Sequence, residues 1–166
     1  MQEPPAREAL RLDPEHVAFI QGGVSVVVSA RNEALVPDVL RGCGCRVSRD
    51  RRRVTVLAES ARSGDVLDGV RANGMIAVVF SQPSTHRTLQ LKGSDATVAR
   101  ATAADQRTAR RHLEAWMADM QRIGYDPVFT RAARGDGADL VAITFSVAAA
   151  FEQTPGPAAG RRLGLA

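Results

Sequence analysis

The chain has 166 residues, 45% of them hydrophobic, a formal net charge of +4 and a pI near 10.0. That length suits one domain with its own core and needs no disulfide or structural metal to hold it. No apolar run approaches the roughly 20 residues of a membrane helix, and the opening stretch MQEPPAREALRLDPEH is charged and Pro-rich rather than apolar, so a cytoplasmic protein without a membrane partner is expected. The basic excess is almost entirely Arg, with Lys92 the single lysine, and it is scattered among acids, as a GC-rich genome also produces. With aromatics at only 4% there is no stacking platform, and nucleic acid is not an expected partner.

In chain order, Asp13-Pro14-Glu15 starts a short helix, with Asp as N-cap and Pro in the first turn, that runs to about Gln21 and stops at Gly22-Gly23. The β-branched run Val24–Ser29 is a first strand, and Arg31-Asn32-Glu33 a turn. Leu35 to Val47 is a second extended stretch; the turn at Ser48–Arg51 leads to a third, Arg53–Ala58. Cys43 and Cys45, separated by Gly44 in an extended strand, should point to the same side as small core residues, unbridged. Two cysteines and few histidines leave no zinc-ligand spacing, and no metal is expected.

Ser63 opens a short helix with Val66, Leu67 and Val70 on one face and Asn73-Gly74 as its stop. Met75–Phe80 is a fourth strand, followed by a Pro-containing loop, and His86 to about Ala101 a long fifth. Thr102 and Asp105 resemble a capping box at the head of the longest helix, whose apolar stripe is Ala109, Leu113, Trp116, Met117, Met120 and Ile123. Gly124 ends it, Asp126-Pro127 starts another short helix, and Leu140–Phe151 is a sixth strand before a Gly/Pro-rich tail from Gln153. Short turns between the first three strands imply antiparallel pairing, and six strands can close on themselves. The expected fold is therefore mainly β, a six-stranded antiparallel barrel with flanking helices.

Three segments carry candidate chemistry. Along Thr85–Gly93, alternation puts Arg87, Leu89 and Leu91 on one side and Thr88, Gln90 and Lys92 on the other. The second face suits either solvent or a polar aromatic ligand laid against the sheet. Along Arg41-Gly42-Cys43-Gly44, the glycines mark either a bend or room for a planar ring on bare backbone. At Arg62-Ser63, a helix start beside a guanidinium is either an ordinary cap or a phosphate cradle. His86 borders the first segment, as a ligand contact or a polar loop residue. His16 and His112 stand on helices without a partnered acid or nucleophile and read as surface or structural.

With these segments in this order, the chain resembles the FMN-binding split barrels of the pyridoxamine 5′-phosphate oxidase family over roughly residues 15–151. Arg41 through Arg46 is similar to that family's Arg-x-x-x-x-Lys strand, Arg62-Ser63 falls on its Arg-Lys phosphate pair, and Thr88 takes the place of a flavin-contacting Gln. The resemblance implies an FMN cofactor bound by Arg41, Gly42, Cys43, Gly44, Val56, Leu57, Arg62, Ser63, Arg87 and Thr88. Arg62 and Ser63 would hold the phosphate, Arg41 would flank the ring and ribityl chain, and Thr88 would meet the ring edge. It also implies a homodimer with flavin at the interface and an oxidoreductase role with an unassigned substrate. The same barrel serves flavin storage or sensing, and deazaflavin-dependent reduction. Lys-to-Arg at Arg46, Lys-to-Ser at Ser63 and Gln-to-Thr at Thr88 depart from the pattern, as does a C-terminus without the family's Trp and Arg-x-His elements. True pyridoxamine phosphate oxidase activity is not expected. The implied domain spans residues 1–152, and the tail, 153–166, is placed to reach the partner.

Overall fold

The computed structural model describes residues 9–134 and 139–165. The first eight residues of the expected domain, residues 135–138 and the last residue of the tail lie outside the described part. Four helices, α1 (Pro14–Ile20), α2 (Gly64–Asn73), α3 (Ala103–Arg122) and α4 (Pro127–Arg134), accompany nine strands. The strands are β1 (Ser25–Arg31), β2 (Pro37–Gly42), β3 (Gly44–Val47), β4 (Arg53–Glu59), β5 (Ile76–Ser81), β6 (Thr88–Gly93), β7 (Thr97–Arg100), β8 (Leu140–Ser146) and β9 (Ala149–Glu152). They form a five-stranded sheet in the order β2-β1-β5-β6-β9 and a four-stranded sheet in the order β3-β4-β8-β7, and every pairing is antiparallel.

The expected closed barrel of six strands is therefore corrected to two sheets of nine. Three of the six extended stretches are each two strands, because the chain leaves one sheet and enters the other partway along. The corners fall at Cys43 (β2 to β3), at 94–96 (β6 to β7) and at 147–148 (β8 to β9). Each has its own fastening: Cys43 N–H donates to the Leu57 carbonyl, Ala96 N–H to the Gly74 carbonyl, and Val147 N–H to the Arg52 carbonyl. Alternation along a sequence marks which faces are buried, but it carries no sign of the residue at which a strand changes partners.

The main core lies between the sheets. Val26, Val28, Val78, Phe80 and Leu91 from the larger sheet meet Val54, Val56, Ile143 and Phe145 from the smaller, all fully buried. Helix α2 covers one end, burying Val66, Leu67 and Val70 as the sequence indicates, and Gly74 takes the left-handed conformation that stops it (φ 67°). Helix α3 opens on the capping box expected at Thr102 and Asp105 and packs over the smaller sheet. There Cys43, Leu57, Ala109, Leu140 and Ala142 form a second, smaller core. Both cysteines are buried and unbridged, but they do not share a side: Cys43 packs in the core under α3 and Cys45 in the core between the sheets. The corner between them turns the strand over.

The buried stripe of α3 also differs from the apolar one expected. It is Asp105, Ala109, His112, Trp116 and Asp119, while Ile123 is exposed. The polar members recur every two turns, and each has a specific partner. Arg46 Nε donates to Asp105 at 2.7 Å, His112 Nε2 lies 2.8 Å from the Val24 carbonyl oxygen, and Asp119 accepts from the loop before β6. The tail from Gln153 is irregular as expected. It turns back along its own sheet, with Arg162 bridged to Phe151 and Leu163 N–H donating to the Ala150 carbonyl.

Candidate functional site

Strand register decides which of the candidate residues can act together. On the larger sheet, residues alternate between the core and an outer face. The outer face carries Val39 and Arg41 on β2, Ser25, Val27 and Ser29 on β1, and Ala77, Val79 and Ser81 on β5. Thr88, Gln90 and Lys92 on β6 and Phe151 on β9 complete it. Across the strands, Arg41, Val27, Val79, Gln90 and Phe151 line up in one row, and Ser25, Ser81 and Thr88 in the next. None of these residues is buried, and Val39, Arg41 and Lys92 are exposed, so among the described residues this face is largely uncovered. Arg41 and Thr88, 47 positions apart in sequence numbering, thus share one surface.

Their surroundings differ. Thr88 is already engaged: its hydroxyl lies 2.8 Å from Ser81 Oγ and donates to the His86 carbonyl, and its N–H donates to Thr154. Arg41 donates from Nη1 to Ser25 Oγ at 3.1 Å, and among the described residues no carboxylate pairs with it. The other arginines of the three candidate segments and the matched strand all have acids. Arg46 is held by Asp105, Arg62 lies 3.3 Å from Glu59, and Arg87 lies 2.8 Å from Glu15 and over the ring of Phe19. Arg41 is therefore the candidate cation whose charge is left for a ligand.

The remaining candidates lie on the smaller sheet and do not join this surface. Val56 and Leu57 are fully buried, in the main core and under α3 respectively. Their strand is paired on both sides, so neither side chain nor backbone is open to a ring within this chain. The room expected beside the glycines is filled. A Cβ on Gly42 would stand 2.8 Å from the Val26 side chain, and one on Gly44 would stand 2.9 Å from His112 Cβ. Their smallness serves close packing of Val26 and of α3. Cys43 is buried in the core under α3. Ser63 is buried and its hydroxyl donates to the Glu59 carbonyl, so it is not an open phosphate ligand; Arg62 stays largely exposed beside Glu59. His86 is exposed in a left-handed turn (φ 59°), and His112 is a buried structural residue.

A feature absent from the sequence reading adjoins Arg41. Ser25, Arg41, Pro83, Trp116, Met120 and Phe129 line a cleft of about 300 Å³ between the sheet edge, α3 and α4. Its walls are fixed to each other by Asp119, which accepts from Ser84 N–H (2.9 Å), Ser84 Oγ (2.6 Å) and Gln82 Nε2 (3.1 Å). The recurrence of Asp105, His112 and Asp119 at seven-residue steps is the sequence signal that could have marked this face of α3 as polar and anchored. A larger hollow of about 670 Å³ beside α2 is lined by Glu33, Asp38, Asp65 and Asp68. Four carboxylates repel a phosphate, and none of the candidate residues lies there.

The Arg46–Asp105 pair ties β3 to the start of α3. Burial raises the Asp105 carboxyl pKa, but the bonds from Arg46 and Thr102 outweigh it and hold the group below the ordinary carboxylate value. A depressed carboxyl contributes stability that is complete above the unfolded value of about 3.9 and is lost as pH falls through the folded one. Asp105→Asn should therefore lower stability at neutral pH, and its deficit should shrink on acidification to about pH 3. Urea unfolding of both proteins at the two pH values checks this, and a deficit independent of pH would contradict it.

No protein-family model matches the chain, and no curated protein matches it. Solved structures do. HupZ of Group A Streptococcus superposes with a TM-score of 0.54 at 15% identity, covering 90% of this chain and 99% of that one. An F420 reductase gives 0.54 at 14% identity, covering 84% and 98%. A candidate pyridoxamine 5′-phosphate oxidase of Lactobacillus delbrueckii gives 0.51 at 11% identity, covering 85% and 93%. At these identities what is shared is the fold: the chain has the split-barrel fold that its sequence resembles. Among the described residues, no helix is long and apolar enough to cross a membrane.

Proposed function

We propose that the protein binds FMN on the outer face of its five-stranded sheet and acts as a flavin-dependent oxidoreductase. The observation that carries this reading is Arg41, a cation without an acid partner among the described residues, set on the same uncovered face as Thr88. The face suits a flat ring. Val27 and Val79 offer a low apolar floor, the small Ser25, Ser29, Ala77 and Ser81 leave it unobstructed, and Thr88 and Gln90 bring polar groups to its border. Arg41 would flank the ring and its side chain. Arg62, once released from Glu59, is the cation available for the phosphate, without Ser63. Flavin, when bound, supplies the redox chemistry. The chain's part is to orient the ring, hold its charge and shield one side from water. Two copies with these faces apposed would cover Val27, Val79 and Phe151 and enclose the second side, which makes a homodimer part of the proposal.

The shared fold with an F420 reductase supports a second reading, a deazaflavin on the same face. The purified protein should be yellow with oxidised-flavin bands, or should acquire them on mixing with FMN; the position of the visible band separates flavin from deazaflavin. Bleaching by NADH or NADPH would favour an enzyme over a flavin store. Arg41→Ala should weaken FMN about tenfold or more, the size of one charge-assisted contact. A colourless protein that gains no flavin signal would overturn the proposal.

A further inference from the structure

The cleft beside the flavin face shares Ser25 and Arg41 with that face and adds residues of α3, α4 and the loop before β6. Trp116 and Met120 on α3, Phe129 on α4 and Pro83 line it, together with Arg41 and Ser25, which are hydrogen-bonded to each other. Trp116 is only 5% exposed, whereas Phe129 is 63% exposed. Around the cleft, Ile123, Tyr125 and Val128 are exposed as well, and the Tyr125 and Phe129 rings stack at 6.5 Å. An apolar wall left open to water marks a place where something binds.

The charges decide what that is. The nearby acids are committed: Asp119 to Gln82 and Ser84, and Asp126 Oδ1 to the N–H groups of Val128 and Phe129. Among the described residues no carboxylate lines the cleft and Arg41 is its one charged lining residue, so its charge favours an anion. The volume of about 300 Å³ matches a small molecule rather than a protein segment. We propose that this cleft binds a small organic anion with a flat apolar body, of which an aryl carboxylate is the simplest form. The ring lies between Trp116, Met120 and Phe129, and the carboxylate meets the Arg41 guanidinium. Because Arg41 also borders the sheet face, such an anion would sit beside a flavin bound there, as a substrate must. The cleft itself does not depend on flavin.

The experiment titrates the protein as purified with 2-naphthoate by calorimetry, using the uncharged 2-naphthamide as control. The indole N–H resonance of Trp116, the only tryptophan, is followed by NMR. Naphthoate should bind about tenfold or more tightly than the amide and shift the indole signal. Arg41→Gln should remove that preference without changing amide binding, and Phe129→Ala, at an exposed position that leaves folding intact, should weaken both. Equal binding of the two compounds, or binding that leaves the indole resonance in place, would overturn the proposal. Flavin occupancy is read separately from visible absorbance. Naphthoate binding without flavin would condemn only the flavin reading, and flavin without naphthoate binding only this one.

Discussion

Replacing Asp119 with alanine is expected to cost about 2–4 kcal/mol of stability and to open the cleft. The carboxylate is buried on α3 and receives the Ser84 N–H, the Ser84 hydroxyl and the Gln82 amide. Hydrogen bonds to a charged group contribute roughly 1.5–3 kcal/mol, and donors left without an acceptor carry a further desolvation penalty. The loss stays below the sum because water can reach the loop once it is released. In a domain of this length the melting point should fall by about 5–15 °C. The effect on the site separates this from loss of a mere packing contact. Asp119 joins the loop that carries Pro83 to the helix that carries Trp116 and Met120, so the alanine variant should shift Trp116 emission to the red while the protein is still folded. Asp119→Asn keeps an acceptor of the same shape and should recover part of both effects. An alanine variant with unchanged melting point and emission would show that the loop is held by other contacts.

Gly44→Ala is the second large effect, about 2–4 kcal/mol from two sources. The backbone there has φ 147°, a conformation L residues rarely adopt, which costs of order 1–3 kcal/mol for a side chain. The added Cβ would also stand 2.9 Å from His112 Cβ and 3.6 Å from Ala109 Cα. His112 is anchored to the Val24 carbonyl and cannot withdraw without losing that bond, so α3 itself would have to move off β3. Gly64→Ala is the control, since a Cβ there meets nothing within 4 Å. Urea unfolding should show a large loss at Gly44 and little at Gly64. Similar losses at both would mean that neither the close approach nor the positive φ sets the cost at Gly44, since the entropy change of Gly→Ala by itself favours the fold.

These two positions show where a reading of the sequence falls short. Gly44 was legible as a special backbone position, but bend and ligand room were equally open, and only the docking of α3 decided between them. Asp119 carried no local signal beyond its two-turn spacing from His112, because its partners lie 35 to 37 residues earlier in the chain. The surroundings of Ser63 were hidden in the sequence for a similar reason. A serine ahead of a helix looks open in sequence, yet here its hydroxyl turns inward to the Glu59 carbonyl.

What the sequence determined by itself is local. The helices at Pro14, Gly64, Ala103 and Pro127 follow from caps, prolines and stopping glycines, and the extended stretches follow from β-branched alternation. Resemblance carried by a few arginines and glycines sufficed to indicate the split-barrel fold. Tertiary structure decided everything that depends on distant partners: the three corners that make nine strands of six stretches, the opposite sides of Cys43 and Cys45, and the polar stripe of α3. It also decided which arginine keeps its charge unpaired. Arg41, Arg46, Arg62 and Arg87 are alike in sequence. They differ in the structure because an acid must come within about 4 Å to neutralise one of them, and among the described residues the fold brings one to three but not to Arg41.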